Sequence, residues 1–222
     1  MLRVDVWSDL ICPWCYLGKR RLESALSRFP HREQVEVVHR AFELDPARPR
    51  GQTFDRVASL AEKYGLTEAR ARAMEEEMER RAAGDGLEYH LLEGVVGNTF
   101  DAHRLILLAR GRGLADAALE RLYRAHFTEN RSIFEPASLA ALGAEVGLDP
   151  DEVGRALGGD ACSAEVRADE RTARELGITG VPCFVLGGRY AVSGAQPAEV
   201  LAGALERALA EVAEGGTRAT GR

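Results

Sequence analysis

Cys12 and Cys15 are separated only by Pro13 and Trp14, directly after a short apolar run. Residues three positions apart share one face of a helix, and a disulfide needs α-carbons about 5.5 Å apart, so one helical turn suits this pair. Unpaired N–H groups and the macrodipole at a helix N-terminus favour a thiolate on the first cysteine. Pro13 fits the first turn, where its missing N–H would have no partner. The spacing therefore predicts a dithiol suited to thiol–disulfide exchange.

Two other uses of the pair compete with this interpretation. A CxxC pair can be half of a zinc site, but the other half should be a second CxxC or a histidine pair, and the chain offers only the scattered Cys162 and Cys183. We therefore predict no metal site. Structural disulfides are typical of oxidising compartments. The N-terminus shows no secretory pattern, so we expect a cytoplasmic protein, with Cys183 a buried and unreactive thiol.

Composition excludes some classes of partner for these 222 residues. The formal net charge is −6, and basic residues are interleaved with acidic ones, which argues against a nucleic-acid binder. No stretch approaches the roughly 18 apolar residues of a membrane span, so no membrane partner is expected.

The elements around the dithiol predict an α/β domain made from the two ends of the chain. Residues 2–7 and 35–42 have the pattern of strands, with a helix between them that begins at the cysteines. Residues 183–186 and 189–193 predict a hairpin around Gly187 and Gly188, because glycine tolerates the positive φ of a tight turn. A last helix is predicted over residues 198–213.

The middle of the chain has a different pattern. Residues 53–158 are almost wholly helical in pattern, and Asn98, Asp149 and Ser163 are predicted to cap helices. We therefore predict an α/β domain over residues 1–45 and 160–213, a helical insertion over 46–159 and a disordered tail over 214–222.

Three segments together resemble the DsbA-like thioredoxin-fold oxidoreductases. They are DLICPWCYLGKRR at 9–21, GNTFDAHRL at 97–105 and TGVPCFVLGGRYAVSGAQP at 179–197. The chain is most similar to the cytoplasmic FrnE-like branch, which is related to kappa-class glutathione transferases and 2-hydroxychromene-2-carboxylate isomerases. The resemblance covers nearly the whole chain. It implies a thioredoxin-like fold interrupted by an inserted all-helical domain.

The resemblance also implies roles for individual residues. Cys12 would attack a substrate disulfide and Cys15 would resolve the intermediate. In thioredoxin-like folds the proline matching Pro182 is cis and faces the dithiol, and the backbone of Val181 would pair with a bound polypeptide like an added strand.

Other residues are candidates for the surroundings of the dithiol. Pro13 and Trp14 would form part of a substrate platform, and Asp9 is either a group that assists proton transfer or a turn and capping residue. By resemblance, further residues of the helical insertion would face the substrate. They are Asn98, Thr99 and His103.

Two functions compete on these grounds. The first is a disulfide reductase or isomerase that works through a mixed disulfide on Cys12. The second is an isomerase or transferase that uses a glutathione-like thiol on a small aromatic or polyketide-like substrate. Such enzymes need only one Ser or Cys at the position of Cys12, so Cys15 favours the first function, and the intact pair argues against a non-catalytic binding module.

The partner that follows from the first function is a disulfide-containing protein or a small thiol. No bound cofactor is predicted beyond the Cys12–Cys15 pair, although a low-molecular-weight thiol is a candidate co-substrate. Redox direction and the choice between monomer and homodimer stay open.

Overall fold

The computed structural model describes residues 1–219, with side chains described as far as Val212. Its main sheet has the strand order β2-β1-β5-β6. These strands are β1 Leu2–Ser8, β2 Val35–Ala41, β5 Cys183–Leu186 and β6 Tyr190–Ser193. Strand β1 pairs parallel with β2 and antiparallel with β5. The α/β fold class predicted from the two ends of the chain is therefore confirmed.

The register of β1 and β5 explains why distant segments meet. Trp7, near the end of β1, lies opposite Cys183, the first residue of β5. Because the strands are antiparallel, the segment that leaves β1 emerges beside the segment that enters β5. The cysteine pair follows β1 and Pro182 precedes β5, so the pairing brings these two segments to one edge of the sheet.

Helices cover both faces of this sheet. One face packs against α1 (Pro13–Ser27) and α9 (Ala198–Ala219). The other face, with Trp7 and Cys183, packs against α8 (Ser163–Glu175) through Ala173. The burial of Cys183 agrees with the sequence prediction.

A largely helical block lies between β2 and α8 in the sequence. Its helices are α2 Arg56–Tyr64, α3 Glu68–Gly84, α4 Phe100–Arg110, α5 Ala115–Phe127, α6 Pro136–Glu145 and α7 Pro150–Gly158. The expectation of helix from residue 53 was wrong at its start, because β3 (Thr53–Asp55) pairs with β4 (Val95–Gly97) in a two-stranded ribbon. The β-branched and aromatic residues of these segments suit strands.

The predicted caps agree with the structure only in part. Asp149 accepts N–H bonds from α7, as predicted. Thr99 and Cys162 occupy the N-cap positions predicted for Asn98 and Ser163, a shift of one residue in each case. The side chain of Asn98 instead accepts the N–H of Phe100 at 3.0 Å.

The last helix is longer than predicted. It continues to Ala219, beyond the predicted end near residue 213. The glycines in this stretch do not end the helix, because glycine lowers helix propensity but keeps its backbone N–H donor. Residues 220–222 of the predicted tail lie outside the described residues. No helix within residues 1–219 is long and apolar enough to span a membrane.

Helix α1 joins two separate cores. Its C-terminal half, with Leu22 and Leu26, packs in the core of the main sheet. Its N-terminal half, with Cys15, Tyr16 and Leu17, packs in the core of the helical block. The start of α1 is therefore held by the helical block and the rest of the helix by the sheet.

Gly18 lies where α1 passes close to Pro182, the residue before β5, and to Phe184 within it. A Cβ on Gly18 would lie 2.9 Å from Pro182 Cγ and 3.2 Å from Phe184 Cζ, closer than side chains pack. Gly203 is an exposed glycine within α9, where a Cβ would meet nothing within 4 Å.

We predict that Gly18→Ala and Gly203→Ala change the free energy of unfolding in opposite directions. Gly18→Ala should destabilise by about 1–3 kcal/mol through overpacking. Gly203→Ala should stabilise by up to about 1 kcal/mol, because alanine is the better helix former. Urea denaturation of the two variants checks this, and equal effects at both positions would contradict the proposed close approach.

Candidate functional site

The dithiol lies at the first turn of α1. Cys12 is the N-cap residue, and Pro13 follows in the first turn. The Cys12 N–H donates to the Asp9 carbonyl at 3.2 Å, and the Cys15 N–H donates to the Cys12 carbonyl at 3.0 Å. The helix start predicted for the pair is therefore present. All four cysteines of the chain are free thiols in this structure.

The surroundings of Cys12 favour its thiolate. A hydrogen bond from the Cys15 thiol is the largest influence and lowers the pKa of Cys12, and the N–H groups of Cys15 and Trp14 act in the same direction. Burial and the charge of Asp9 oppose this effect. The donors win, so the pKa of Cys12 lies below that of an ordinary cysteine.

Cys15 has the opposite character. Burial raises its pKa well above the ordinary value, and its hydrogen bond to Cys12 adds to the effect. Its Sγ accepts the N–H of Asp9 at 3.5 Å. The pair is therefore asymmetric, with an ionisable thiol at the helix terminus and a protonated, more deeply buried thiol one turn later.

The segment before β5 lies against this pair. The Val181–Pro182 peptide bond is cis. The Cys12 thiol lies 3.7 Å from the Val181 carbonyl oxygen and donates to it. Val181 is half-buried and Pro182 is buried. Residues about 170 positions apart in the sequence thus share one site.

Side chains of the helical block bind the carbonyl groups of the cysteine loop. Arg56 donates to the Ile11 carbonyl at 3.2 Å, and Tyr89 donates to the Pro13 carbonyl at 2.9 Å. A longer contact of 3.4 Å joins the Tyr123 hydroxyl to the carbonyl of Asp9. Three side chains from the block therefore fix the main chain on which the thiols are mounted.

Sequence reasoning missed these three residues. Arg56 is buried and paired with Glu75 at 2.9 Å, although both lie on helices whose charged residues have the pattern of a solvated face. Tyr89 and Tyr123 are single aromatic residues without a surrounding motif. Because none of the three carries a pattern of its own, no signal in the sequence could have identified them.

A cleft opens beside Cys12 between the helix start and the hairpin of α2 and α3. Its volume is about 430 Å³. Its walls include Cys12, Pro13 and Trp14, together with apolar side chains from the block. Those side chains are Leu44, Leu60, Tyr64, Met74, Met78 and Val96. Cationic side chains, including Arg48, Arg70 and Arg81, also line it.

Three residues expected on the substrate side are not in this cleft. Asn98, Thr99 and His103 are 6%, 2% and 3% exposed, and none of them lines it. The start of α4 packs instead against the loop that follows β2. Asn98 donates to Glu43 Oε2 at 3.0 Å, and His103 Nε2 lies 3.2 Å from the Phe42 carbonyl oxygen. The structure thus offers no contact between these side chains and a substrate in the cleft.

Asp9 is also fully buried. Its Oδ2 accepts the N–H of Leu44 at 2.6 Å, and its Oδ1 lies 3.7 Å from His103 Nε2. The carboxylate is not an N-cap of α1, because that position belongs to Cys12. Asp9 therefore lies behind the dithiol rather than at the cleft.

A second buried acidic group lies close by. Burial raises the pKa of Glu43 to about 7, and the neighbouring Glu170 adds to this effect. Arg167 bridges the two carboxylates, at 2.6 Å from Glu43 and 2.8 Å from Glu170. This cluster ties α8 to the loop after β2. Within residues 1–219, no three His, Cys, Asp or Glu side chains form a group that could hold a metal ion.

Known proteins are similar to this chain over most of its length. A probable DsbA oxidoreductase from Streptomyces coelicolor is 48% identical, with a TM-score of 0.92, and the match covers 95% of this chain and 91% of that one. The protein YwbO of Bacillus subtilis is 26% identical over 187 residues, which cover 84% of this chain and 87% of the relative.

More distant structures share the fold. The cytosolic disulfide reductase DsbM from Pseudomonas aeruginosa is 22% identical, with a TM-score of 0.65 and coverage of 93% of this chain and 98% of that one. A 2-hydroxychromene-2-carboxylate isomerase is 18% identical, with a TM-score of 0.71 and coverage of 96% and 98%. At these identities the similarity establishes the fold alone.

The match to a family covers nearly the whole chain. Residues 3–206 match the family described as the DSBA-like thioredoxin domain. The range includes the cysteine pair, the helical block and the segment of Pro182. With its thioredoxin-like sheet, interrupted by helices and carrying a dithiol at the start of α1, this chain belongs to the DsbA-like thioredoxin domain family.

Proposed function

We propose that the protein is a thiol–disulfide oxidoreductase that reduces or isomerises disulfides through Cys12 and Cys15. The observation that carries the proposal is the asymmetry of the pair. The pKa of Cys12 is lowered chiefly by the hydrogen bond from Cys15, whereas burial raises the pKa of Cys15. An attacking thiolate beside a thiol held in reserve is what disulfide exchange requires.

The proposed reduction has two steps. The Cys12 thiolate attacks one sulfur of a substrate disulfide, forms a mixed disulfide and releases the other sulfur as a thiolate. Cys15 then loses its proton and attacks Cys12 Sγ, which forms the Cys12–Cys15 disulfide and releases the second substrate thiolate. Two electrons pass to the substrate, and both released thiolates take up protons. Asp9 stays the candidate group for assisting this proton transfer, because the charge of its carboxylate acts on both thiols.

The surroundings of Cys12 support a polypeptide substrate. Trp14, Tyr64 and Met74 are large apolar side chains exposed by 41%, 61% and 41%, and all three line the cleft. Exposed apolar surface that clusters beside a reactive group favours a binding role. The backbone of Val181 is proposed to pair with the bound segment, with Pro182 beside the disulfide.

A small thiol is the proposed co-substrate that returns the disulfide to the dithiol. The structure of DsbM has been solved with glutathione, which supports testing such a thiol here. A reducing compartment such as the cytoplasm is part of the proposal. A glutathione-dependent isomerase or transferase remains the competing function, and in that chemistry Cys15 would have no role.

The first test separates the roles of the two cysteines. Cys12→Ser should abolish insulin reduction with glutathione as the electron donor, because no attacking thiolate remains. Cys15→Ser should accumulate a mixed disulfide on Cys12, detected by mass spectrometry under non-reducing conditions. The buried Cys183→Ser is the matched control and should retain activity. If wild-type protein is inactive on insulin while Cys15→Ser keeps full glutathione-transfer activity, the redox proposal fails.

A second test measures the pKa of Cys12 through its rate of alkylation. The rate of modification by iodoacetamide should rise with pH to half its maximum at a pH below about 8.5, because only the thiolate reacts and its pKa is lowered. Peptide mapping should find Cys15 unmodified over the same range.

The hydrogen bond from Cys15 can be tested by the same measurement. Cys15→Ala removes the donor and should move the alkylation midpoint of Cys12 to higher pH. Cys15→Ser keeps a hydroxyl donor at that position and should move the midpoint less. Equal midpoints in the two variants would contradict the role assigned to this hydrogen bond.

A third test addresses the cleft. Trp14→Ala should raise the KM for a protein disulfide about 5- to 30-fold, which corresponds to losing ~1–2 kcal/mol of apolar contact. It should leave the reaction with a small disulfide such as hydroxyethyl disulfide nearly unchanged. Leu176→Ala is the control, because Leu176 is 53% exposed and lies outside the cleft. Equal losses on both substrates would argue against a platform role.

A further inference from the structure

The carboxylate of Asp9 lies behind the dithiol with one oxygen unsatisfied. Asp9 is 0% exposed, and its Oδ1 has no hydrogen-bond partner among the described residues. A buried charge without partners is costly, so its persistence needs an electrostatic reason. The ring of His103 faces this oxygen, with Nε2 3.7 Å from Oδ1.

The position of His103 fixes which nitrogen carries a proton. Nε2 lies between two acceptors, the carboxylate of Asp9 and the Phe42 carbonyl oxygen at 3.2 Å. Nε2 must therefore be protonated in either charge state of the ring. At 3.7 Å the contact with Asp9 is an ion pair rather than a hydrogen bond, so it acts through charge.

The groups that face His103 favour its charged form. Burial lowers the pKa of His103, but Asp9, Glu43 and the Phe42 carbonyl together outweigh burial and raise it. The charges of His103 and Asp169 also interact. Arg40 and Arg110 line the small cavity beside the ring, together with His39. The acidic groups and the carbonyl outweigh burial, so the pKa of His103 lies above that of an ordinary histidine.

The charge of Asp9 reaches both thiols. It raises the pKa of Cys12 and that of Cys15, which means that it disfavours their thiolates. A dithiol whose thiolate is disfavoured is a stronger reductant, because the reduced form is less stable relative to the disulfide. A charged His103 offsets the carboxylate and acts in the opposite direction.

We propose that Asp9 and His103 form a buried positioning pair that sets the redox poise of the Cys12–Cys15 dithiol, with Asp9 favouring the disulfide and His103 the dithiol. The inference rests on the proposed redox function of the pair. It gives His103 a role behind the dithiol, away from the substrate. His103 lies on α4, so the helical block contributes to the redox equilibrium of the cysteine pair on α1.

The test is the equilibrium of the cysteine pair with reduced and oxidised glutathione, measured for the full-length protein. Asp9→Asn should shift the equilibrium about tenfold toward the dithiol and lower the Cys12 pKa, read from thiolate absorbance at 240 nm. His103→Gln keeps an N–H donor for the Phe42 carbonyl but removes the charge. It should shift both quantities in the opposite direction.

The double variant and a control separate charge from packing. In the Asp9→Asn background, His103→Gln should have little further effect, because the ring has lost the carboxylate that most favours its charged form. His126 is an equally buried histidine whose pKa is lowered to about 3 by burial, so His126→Gln removes a neutral ring. It should leave the equilibrium unchanged. Shifts of the same sign in Asp9→Asn and His103→Gln, or additive effects in the double variant, would overturn the proposal.

A second measurement covers variants that do not fold, and the choice of assay separates this inference from the proposed function. If either variant fails to fold, the charge of His103 is measured instead by nitrogen NMR of the histidine rings in the wild-type protein. The signal of His103 is assigned by elimination, with variants of the other four histidines. A ring of His103 that is still charged above pH 6.5 supports the proposal, and a neutral ring at pH 6.5 overturns it. The glutathione equilibrium uses no protein substrate, so the two proposals can fail separately. If the wild-type protein is inactive on insulin but the variants still shift the glutathione equilibrium, the proposed function fails and this inference stands.

Discussion

A thiol that is buried and must still ionise is the constraint on which the rest of this structure depends. Cys12 is 8% exposed, so few waters can stabilise its thiolate, and burial alone would raise its pKa. Donors fixed by the fold replace the missing water. They are the Cys15 thiol and the N–H groups at the start of α1, and they exist only because a helix begins at Cys12. Pro13 occupies a position in that turn where no donor is lost.

These donors stabilise the Cys12 thiolate only if the loop that carries them keeps its position. Two hydrophobic cores hold that loop in place. The sheet core fixes the body of α1 through Leu22 and Leu26. The helical block binds the loop from the other side, with Arg56, Tyr89 and Tyr123 each contacting a different carbonyl group of the cysteine loop. The block therefore does more than form one wall of the cleft, since it also donates hydrogen bonds to the backbone of the loop that carries the thiols.

Local features were predictable from sequence, and features that depend on orientation were not. The helix start at the cysteine pair and the hairpin around Gly187 follow from spacing and turn chemistry. The contact between Cys12 and the Val181 carbonyl depends on the register of two antiparallel strands, which the residues alone do not specify and which only the family resemblance implied. The placement of Asn98 and His103 depends on orientation in the same way. Periodicity could not tell a face turned to the cleft from a face turned to the loop after β2.

The sign of the redox chemistry follows from a competition between two sets of groups at the same sulfur atoms. Hydrogen bonds from Cys15 and from the helix N–H groups stabilise the Cys12 thiolate and act at contact distance, where a charge-assisted bond is strong. The carboxylate of Asp9 opposes them through space, and its influence depends on whether His103 carries a charge. The helix N–H groups are fixed by the fold of α1 and contribute in the same way at every pH, and the Cys15 thiol contributes as long as it keeps its proton. The ion pair is the adjustable part, and it lies in the interior, where salt screens it little. If the proposal holds, the choice between reductant and oxidant belongs to Asp9 and His103, two buried residues that do not line the cleft.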